Sequence, residues 1–226
     1  LYALANVGFK NYAFLDLTYR SDVSSTLPTE SNQYDYFSAG LSAIISDMVE
    51  LPSAIDYFKL RASYAEVGND TDPYQLSQTF EVPGEGYFGL TTLTAPSVKL
   101  NPDLRPEQVT STEFGLELVM FNNRLNLDIS VYDISTTDLI FNVPVPAATG
   151  YQFFKQNVGE VNNKGFEVTI GGRPIQSGKF VWDTSLNFAR NDNYLVSLID
   201  DVESFGRPQA GISIDCYIAC VLLLWT

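Results

Sequence analysis

Apolar and polar residues alternate one for one through run after run of this chain. Over residues 112–121, Phe114, Leu116, Leu118 and Met120 interleave with Glu113, Gly115, Glu117 and Val119. Leu125, Leu127, Ile129 and Val131 interleave in the same way with Asn126, Asp128, Ser130 and Tyr132. Neighbouring side chains of an extended strand point to opposite faces, so a period of two predicts strands with one apolar and one polar face. Further runs start at Ala13, Phe37, Phe58, Phe166 and Phe180. No long stretch shows the three-and-four spacing of an amphipathic helix, which predicts little helix. Several runs extend over about 9–12 residues, beyond the usual 5–6 of soluble sheets and close to the 9–11 that cross a bilayer.

The connections sort by length. Lys10-Asn11 and Asn122-Asn123 read as tight turns of residues that tolerate positive φ. Leu51-Pro52 and 174–178 read as short links, whereas 21–35, 68–109 and 133–163 read as long loops. Short turns on one side and long loops on the other are expected of a membrane barrel. In hydrocarbon every backbone polar group needs a partner inside the protein, so a spanning sheet closes on itself. Asp16, Glu113, Glu117, Asp128 and Asp183 then belong to the water-facing interior. The fold expected is all-β: an antiparallel transmembrane barrel segment of about ten strands.

Composition narrows the function. Charged residues are 18% and aromatics 13%, a balance opposite to that of disordered chains. Net charge is −14 with no basic patch, which argues against nucleic acid. The chain has no histidine, which removes Ser-His-Asp and Cys-His catalysis and His-ligated zinc. The two cysteines, Cys216 and Cys220, lack the partners a zinc site requires. The apolar run 218–225 is too short for a membrane helix. Neither an enzyme activity nor a cofactor or metal is expected, and no catalytic residue is assigned.

Three short motifs have alternative readings. Asn69-Asp70-Thr71-Asp72 alternates oxygen ligands but lacks the calcium loop's closing glutamate, so a rim turn is preferred. Gly84-Glu85-Gly86 has an acidic centre that would repel phosphate, and Asp200-Asp201 reads as solvated loop acids rather than a glycosidase pair. Tyr34, Tyr36, Tyr87, Phe88, Tyr151, Phe153 and Phe154 lie in or beside the long loops. They suit interfacial girdle or loop packing better than sugar stacking, although amphipathic rings serve either use.

The order of motifs carries a resemblance. Asn101-Pro102-Asp103-Leu104-Arg105-Pro106-Glu107, followed by Ser111, Glu113 and Gly115, resembles a signature of TonB-dependent receptors. Asn142-Val143-Pro144, Thr149-Gly150-Tyr151, Asn157-Val158-Gly159-Glu160 and Asn163-Lys164-Gly165-Phe166-Glu167 resemble the SusC/RagA branch. So do Ser24-Ser25-Thr26-Leu27-Pro28 and Val67-Gly68-Asn69-Asp70. The prolines of the first motif lack donors and belong outside the ladder, and Gly165 is expected to permit a bend or bulge as the loop re-enters the sheet.

The resemblance covers roughly residues 1–211 and implies part of a larger barrel of about 22 strands. It implies import of glycan or peptide oligomers across the Gram-negative outer membrane. Its implied partners are a SusD-like surface lipoprotein, the TonB–ExbB–ExbD complex acting through a plug, and outer-membrane lipid. The plug and TonB box of that family are absent from these residues. Residues 212–226 fit nothing in it and read as a truncated or frame-shifted tail. Substrate-binding residues stay unknown at this level. The alternative is a soluble β-sandwich that binds carbohydrate, which also alternates. In that case Leu116, Leu118, Leu127, Ile129 and Leu186 face a shared core rather than lipid.

Overall fold

The computed structural model describes residues 1–198 except 83, 85, 87, 178 and 179, together with the backbone of 213–225. Among the described residues twelve strands form: β1 (Tyr2–Phe9), β2 (Ala13–Val23), β3 (Gln33–Ile44), β4 (Ile55–Asn69), β5 (Val98–Lys99), β6 (Glu107–Met120), β7 (Leu125–Thr137), β8 (Ile140–Pro144), β9 (Phe153–Asn157), β10 (Glu160–Ser177), β11 (Phe180–Ser197) and β12 (Ser213–Trp225). Nine of them make one antiparallel sheet in the order β1-β2-β3-β4-β6-β7-β10-β11-β12. The short β5, β9 and β8 form a separate three-stranded sheet. Two single-turn 3₁₀ segments are the only helices among the described residues.

The alternation of the sequence sets the register. Leu116 lies opposite both Leu60 and Ile129, Phe114 opposite Ala62 and Val131, and Val131 opposite Phe166. Each apolar set therefore meets the apolar set of its neighbour, and one face of the sheet is greasy from β2 to β11. That face is uncovered. Leu41 is 54% exposed, Phe114 60% and Val131 50%. Among the described residues only Leu27, Leu104, Val143 and Leu198 are buried hydrophobics, and all four sit at the long-loop end. Among the described residues no second sheet covers the apolar face, and Leu116, Leu118, Leu127, Ile129 and Leu186 have no shared core there. A sandwich would seat them between two layers about 10 Å apart.

The links differ in detail from expectation. Lys10 and Asn11 adopt positive φ of 49° and 62°. The second tight turn is longer than Asn122-Asn123: Met120 faces Leu125, and Phe121, Asn122 and Asn123 all have positive φ. Residues 174–177 are not a turn. β10 continues through Pro174, and Ile175 pairs with Trp182. The register shifts between Gly172 and Ile175, and a bulge there tolerates a proline that cannot donate to the ladder. Of the bend or bulge expected at Gly165, no bulge forms, since Gly165 pairs regularly with Tyr132 and Asn191. Backbone pairing of β11 with 213–225 adds a ladder where the sequence suggested only a tail.

Candidate functional site: the polar wall and the loop rim

The polar face of the sheet carries a charge network centred on β4, β6 and β7. Arg61 donates from Nη1 to Asp128 Oδ2 and from Nη2 to Asp128 Oδ1, both at 3.0 Å. Nη2 also donates to Ser130 Oγ at 2.7 Å, and Glu113 lies 3.8 Å from Nε. A planar guanidinium gripping a carboxylate with two parallel bonds is the geometry that makes arginine pairs specific. To reach β7 the side chain must cross β6, and it does so at Gly115, where a Cβ would collide with it. Tyr132 of β7 crosses Gly165 of β10 in the same manner, and Asn126 lies against Gly171. At the short-turn end Arg173 binds Asp183 at 2.7 Å. Asn6 donates to Asp16 at the other side of the sheet. Asp16, Glu113, Glu117, Asp128 and Asp183 thus share the polar face, and Asp16, Asp128 and Asp183 hold polar partners on it.

The long-loop end is tied together by the motif residues. Ser24 Oγ and Thr26 Oγ1 donate to Asp70 Oδ2 at 2.5 and 3.2 Å. Asp70 therefore anchors the β2–β3 loop. Among the described residues no group of three or more His, Cys, Asp or Glu is placed to hold a metal. Ser31 Oγ donates to the Leu104 carbonyl at 3.0 Å, and the Leu104 residue is 0% exposed. Asn157 Oδ1 accepts from the Arg105 N–H at 2.8 Å, while its Nδ2 donates to the carbonyls of Arg105 (2.7 Å) and Asp138 (2.9 Å). Arg105 and Asp138 also form an ion pair at 2.8 Å. Glu107 accepts from the Ile140 N–H at 2.8 Å and from Asn69 Nδ2 at 3.0 Å.

The aromatics divide into two sets. At the loop-side edge of the apolar face stand Tyr19, Phe37, Tyr64, Phe114, Phe166 and Phe188. Phe37 and Tyr64 meet with ring centroids 5.4 Å apart, and Phe166 and Phe188 at 5.6 Å. The Tyr64 hydroxyl reaches outward to Glu66 Oε1 at 2.6 Å. This row comes from strand residues and lies on the face opposite the charge network. Tyr34 and Tyr36 stack at 6.1 Å near the loop end of β3, and Tyr36 donates to Asp22 at 2.5 Å. Phe154 lies under Lys99 at 5.3 Å, and Phe88 is 87% exposed. Tyr87, Glu85, Asp200 and Asp201 lie outside the described residues, and so do the side chains of Cys216 and Cys220.

Residues 1–213 match the family model described as TonB dependent receptor-like, beta-barrel. This chain belongs to that family. Its type is SusC/RagA. TonB-dependent receptor P39 of Formosa agariphila is 34% identical over 203 residues, covering 89% of this chain and 20% of its own length. TonB-dependent receptor SusC of Bacteroides thetaiotaomicron is 30% identical over 129 residues, covering 57% of this chain and 12% of SusC. The RagAB peptide importer in its closed-closed state superposes with a TM-score of 0.84 at 25% identity, covering 93% of this chain and 24% of that one. The chain thus spans about a fifth of the length of the first of these curated relatives. Receptors of this family are outer-membrane β-barrel proteins, and the sheet described here is open.

Proposed function

We propose that this chain is part of the wall of an outer-membrane, TonB-dependent importer of oligomeric nutrients, either glycan or peptide. The observation that supports it most directly is the uncovered apolar face, bounded by an aromatic row and backed by a charged, hydrogen-bonded wall. Lipid satisfies the first and a water-filled lumen or polar plug the second. In this reading the long loops are extracellular and the short turns periplasmic. Residues 1–211 supply the barrel segment and 212–226 an atypical end. A SusD-like surface lipoprotein meets the loop side, and TonB–ExbB–ExbD supplies energy through a plug outside these residues. The chain acts by forming a passage, not by catalysis. RagAB is a peptide importer, which makes peptides one of the two substrate classes to be compared.

The test uses the full-length receptor in a Gram-negative host. The wild type should fractionate with the outer membrane and need detergent to stay monodisperse. Leu127→Arg, on the apolar face, should cut outer-membrane yield, since a mid-bilayer arginine costs about 2–4 kcal/mol. Asp128→Asn leaves that face untouched and weakens only the Arg61 pair, a half-exposed contact worth no more than about 1 kcal/mol. Equal loss of yield from both changes, or a wild type that stays monodisperse in plain buffer, would rule out the assignment. Uptake of labelled oligosaccharides and peptides by the same cells then separates the two substrate classes.

A further inference from the structure

The small sheet β5-β9-β8 comes from two loops far apart in sequence, 70–106 and 138–159. We propose that Asn157 is a latch that joins these loops into one rigid body at the rim, so that they move together or not at all.

The case rests on how the Asn157 amide is used. It accepts the Arg105 N–H at 2.8 Å and donates to the Arg105 carbonyl at 2.7 Å. Those are the two bonds that a neighbouring strand would make, supplied by one side chain from 52 residues away. The same nitrogen donates to the Asp138 carbonyl at 2.9 Å, closing the loop 138–157 on its own first residue. A side-chain amide offers one oxygen and two N–H donors, and all of these except spare lone-pair capacity are engaged. Asp138 has positive φ, 54°, which turns its carbonyl out of the β7 ladder. Beside the latch the Leu104 side chain is fully buried, and parallel pairing of Val98 and Lys99 with Phe153 and Phe154 continues the join. Gln78 seals the far edge of β5, donating to Val98 and accepting from Leu100 at 3.3 and 2.9 Å. Glu107 then fastens the body to the wall, by bonds to Ile140 at the start of β8 and to Asn69 at the end of β4.

The Arg105–Asp138 ion pair joins the same two loops, but both side chains are more than a third exposed, at 61% and 39%. The bonds from Asn157 to Arg105 are exposed as well, but salt and solvent screen a charge pair most, and Asn157 is half-buried and holds three backbone groups at once, so its amide is assigned the holding role. The two loops respond as a unit to a contact made on either one. This inference concerns the loops alone and stands apart from the assignment of transport.

Amide hydrogen exchange on the detergent-purified, full-length receptor tests it. Asn157→Leu should speed exchange by about tenfold or more in both 98–106 and 138–157, with β7 unchanged. Arg105→Ala should change either segment by less than about threefold. Faster exchange confined to 138–157 would show two independent loops and overturn the proposal. So would an Arg105→Ala effect as large as that of Asn157→Leu. Asn157→Asp covers the case in which the leucine variant fails to assemble. It keeps the acceptor and loses both donors, and should loosen both segments. Unchanged exchange in either of them would overturn the latch.

Discussion

At the scale of single residues, glycine on the polar face makes room for the side chain of the next strand. Gly115 and Gly165 lie under Arg61 and Tyr132, but the two positions differ in what can yield. At Gly115 an added Cβ meets Cγ, Nε and Cζ of Arg61, a side chain that can move aside by loosening its grip on Asp128. At Gly165 it also comes within 2.6 Å of the Arg190 carbonyl, which is part of the sheet and cannot swing away. Gly165→Val should therefore destabilise the folded barrel by about 1–3 kcal/mol, and Gly115→Ala by less. Urea unfolding in detergent micelles, followed by tryptophan fluorescence, measures both. The sequence offered no sign of these crossings, because each partner lies on another strand and only the register brings it near. It did place Glu113, Glu117 and Asp128 on the polar face, since parity alone decides that. The pairing of Asp128 with Arg61 was out of reach for the same reason as the glycines.

At the scale of elements, the long strands were legible and the loops were not. Alternation over many residues leaves one way for a strand to turn its greasy side, so β2, β3, β4, β6 and β7 follow from pattern alone. A tight link was expected at 174–178, where Pro174 suggested a stop; the bulge between Gly172 and Ile175 lets β10 run on instead. The small sheet was missed because β5 has only two residues, too few for a period, and its partner β9 is more than fifty residues away. Motifs such as Asn101 to Glu107 stood out in the sequence without disclosing what they hold. Leu104 shows why: it is one apolar residue between prolines and acids, yet it is fully buried at the junction of three loops. Leu104→Ala should cost about 2–4 kcal/mol locally, loosening the rim while sparing the sheet. Limited proteolysis should then cut 70–106 several times faster, with the β7–β10 ladder still protected from exchange.

At the scale of the molecule, the sheet is open at β1 and β12 and joined by short links and long loops in turn. An eight-residue edge strand such as β1, exposed throughout, invites pairing. This 226-residue chain expressed by itself should aggregate in plain buffer and gain antiparallel pairing only with detergent or lipid. Light scattering with and without micelles distinguishes that from a self-sufficient soluble domain.

On the apolar face the next residue toward the loops after each greasy set is polar: Ser21 after Tyr19, Asp35 after Phe37, Glu66 after Tyr64, Thr112 after Phe114, Asp133 after Val131 and Lys164 after Phe166. The wall thus carries a waterline drawn strand by strand. Sinking by one pleat, about 7 Å along a strand, would push three carboxylates and an ammonium into oil at once. Rising by the same step would lift a ring of tyrosine and phenylalanine into water. In the proposed membrane placement a displacement in either direction is therefore uphill.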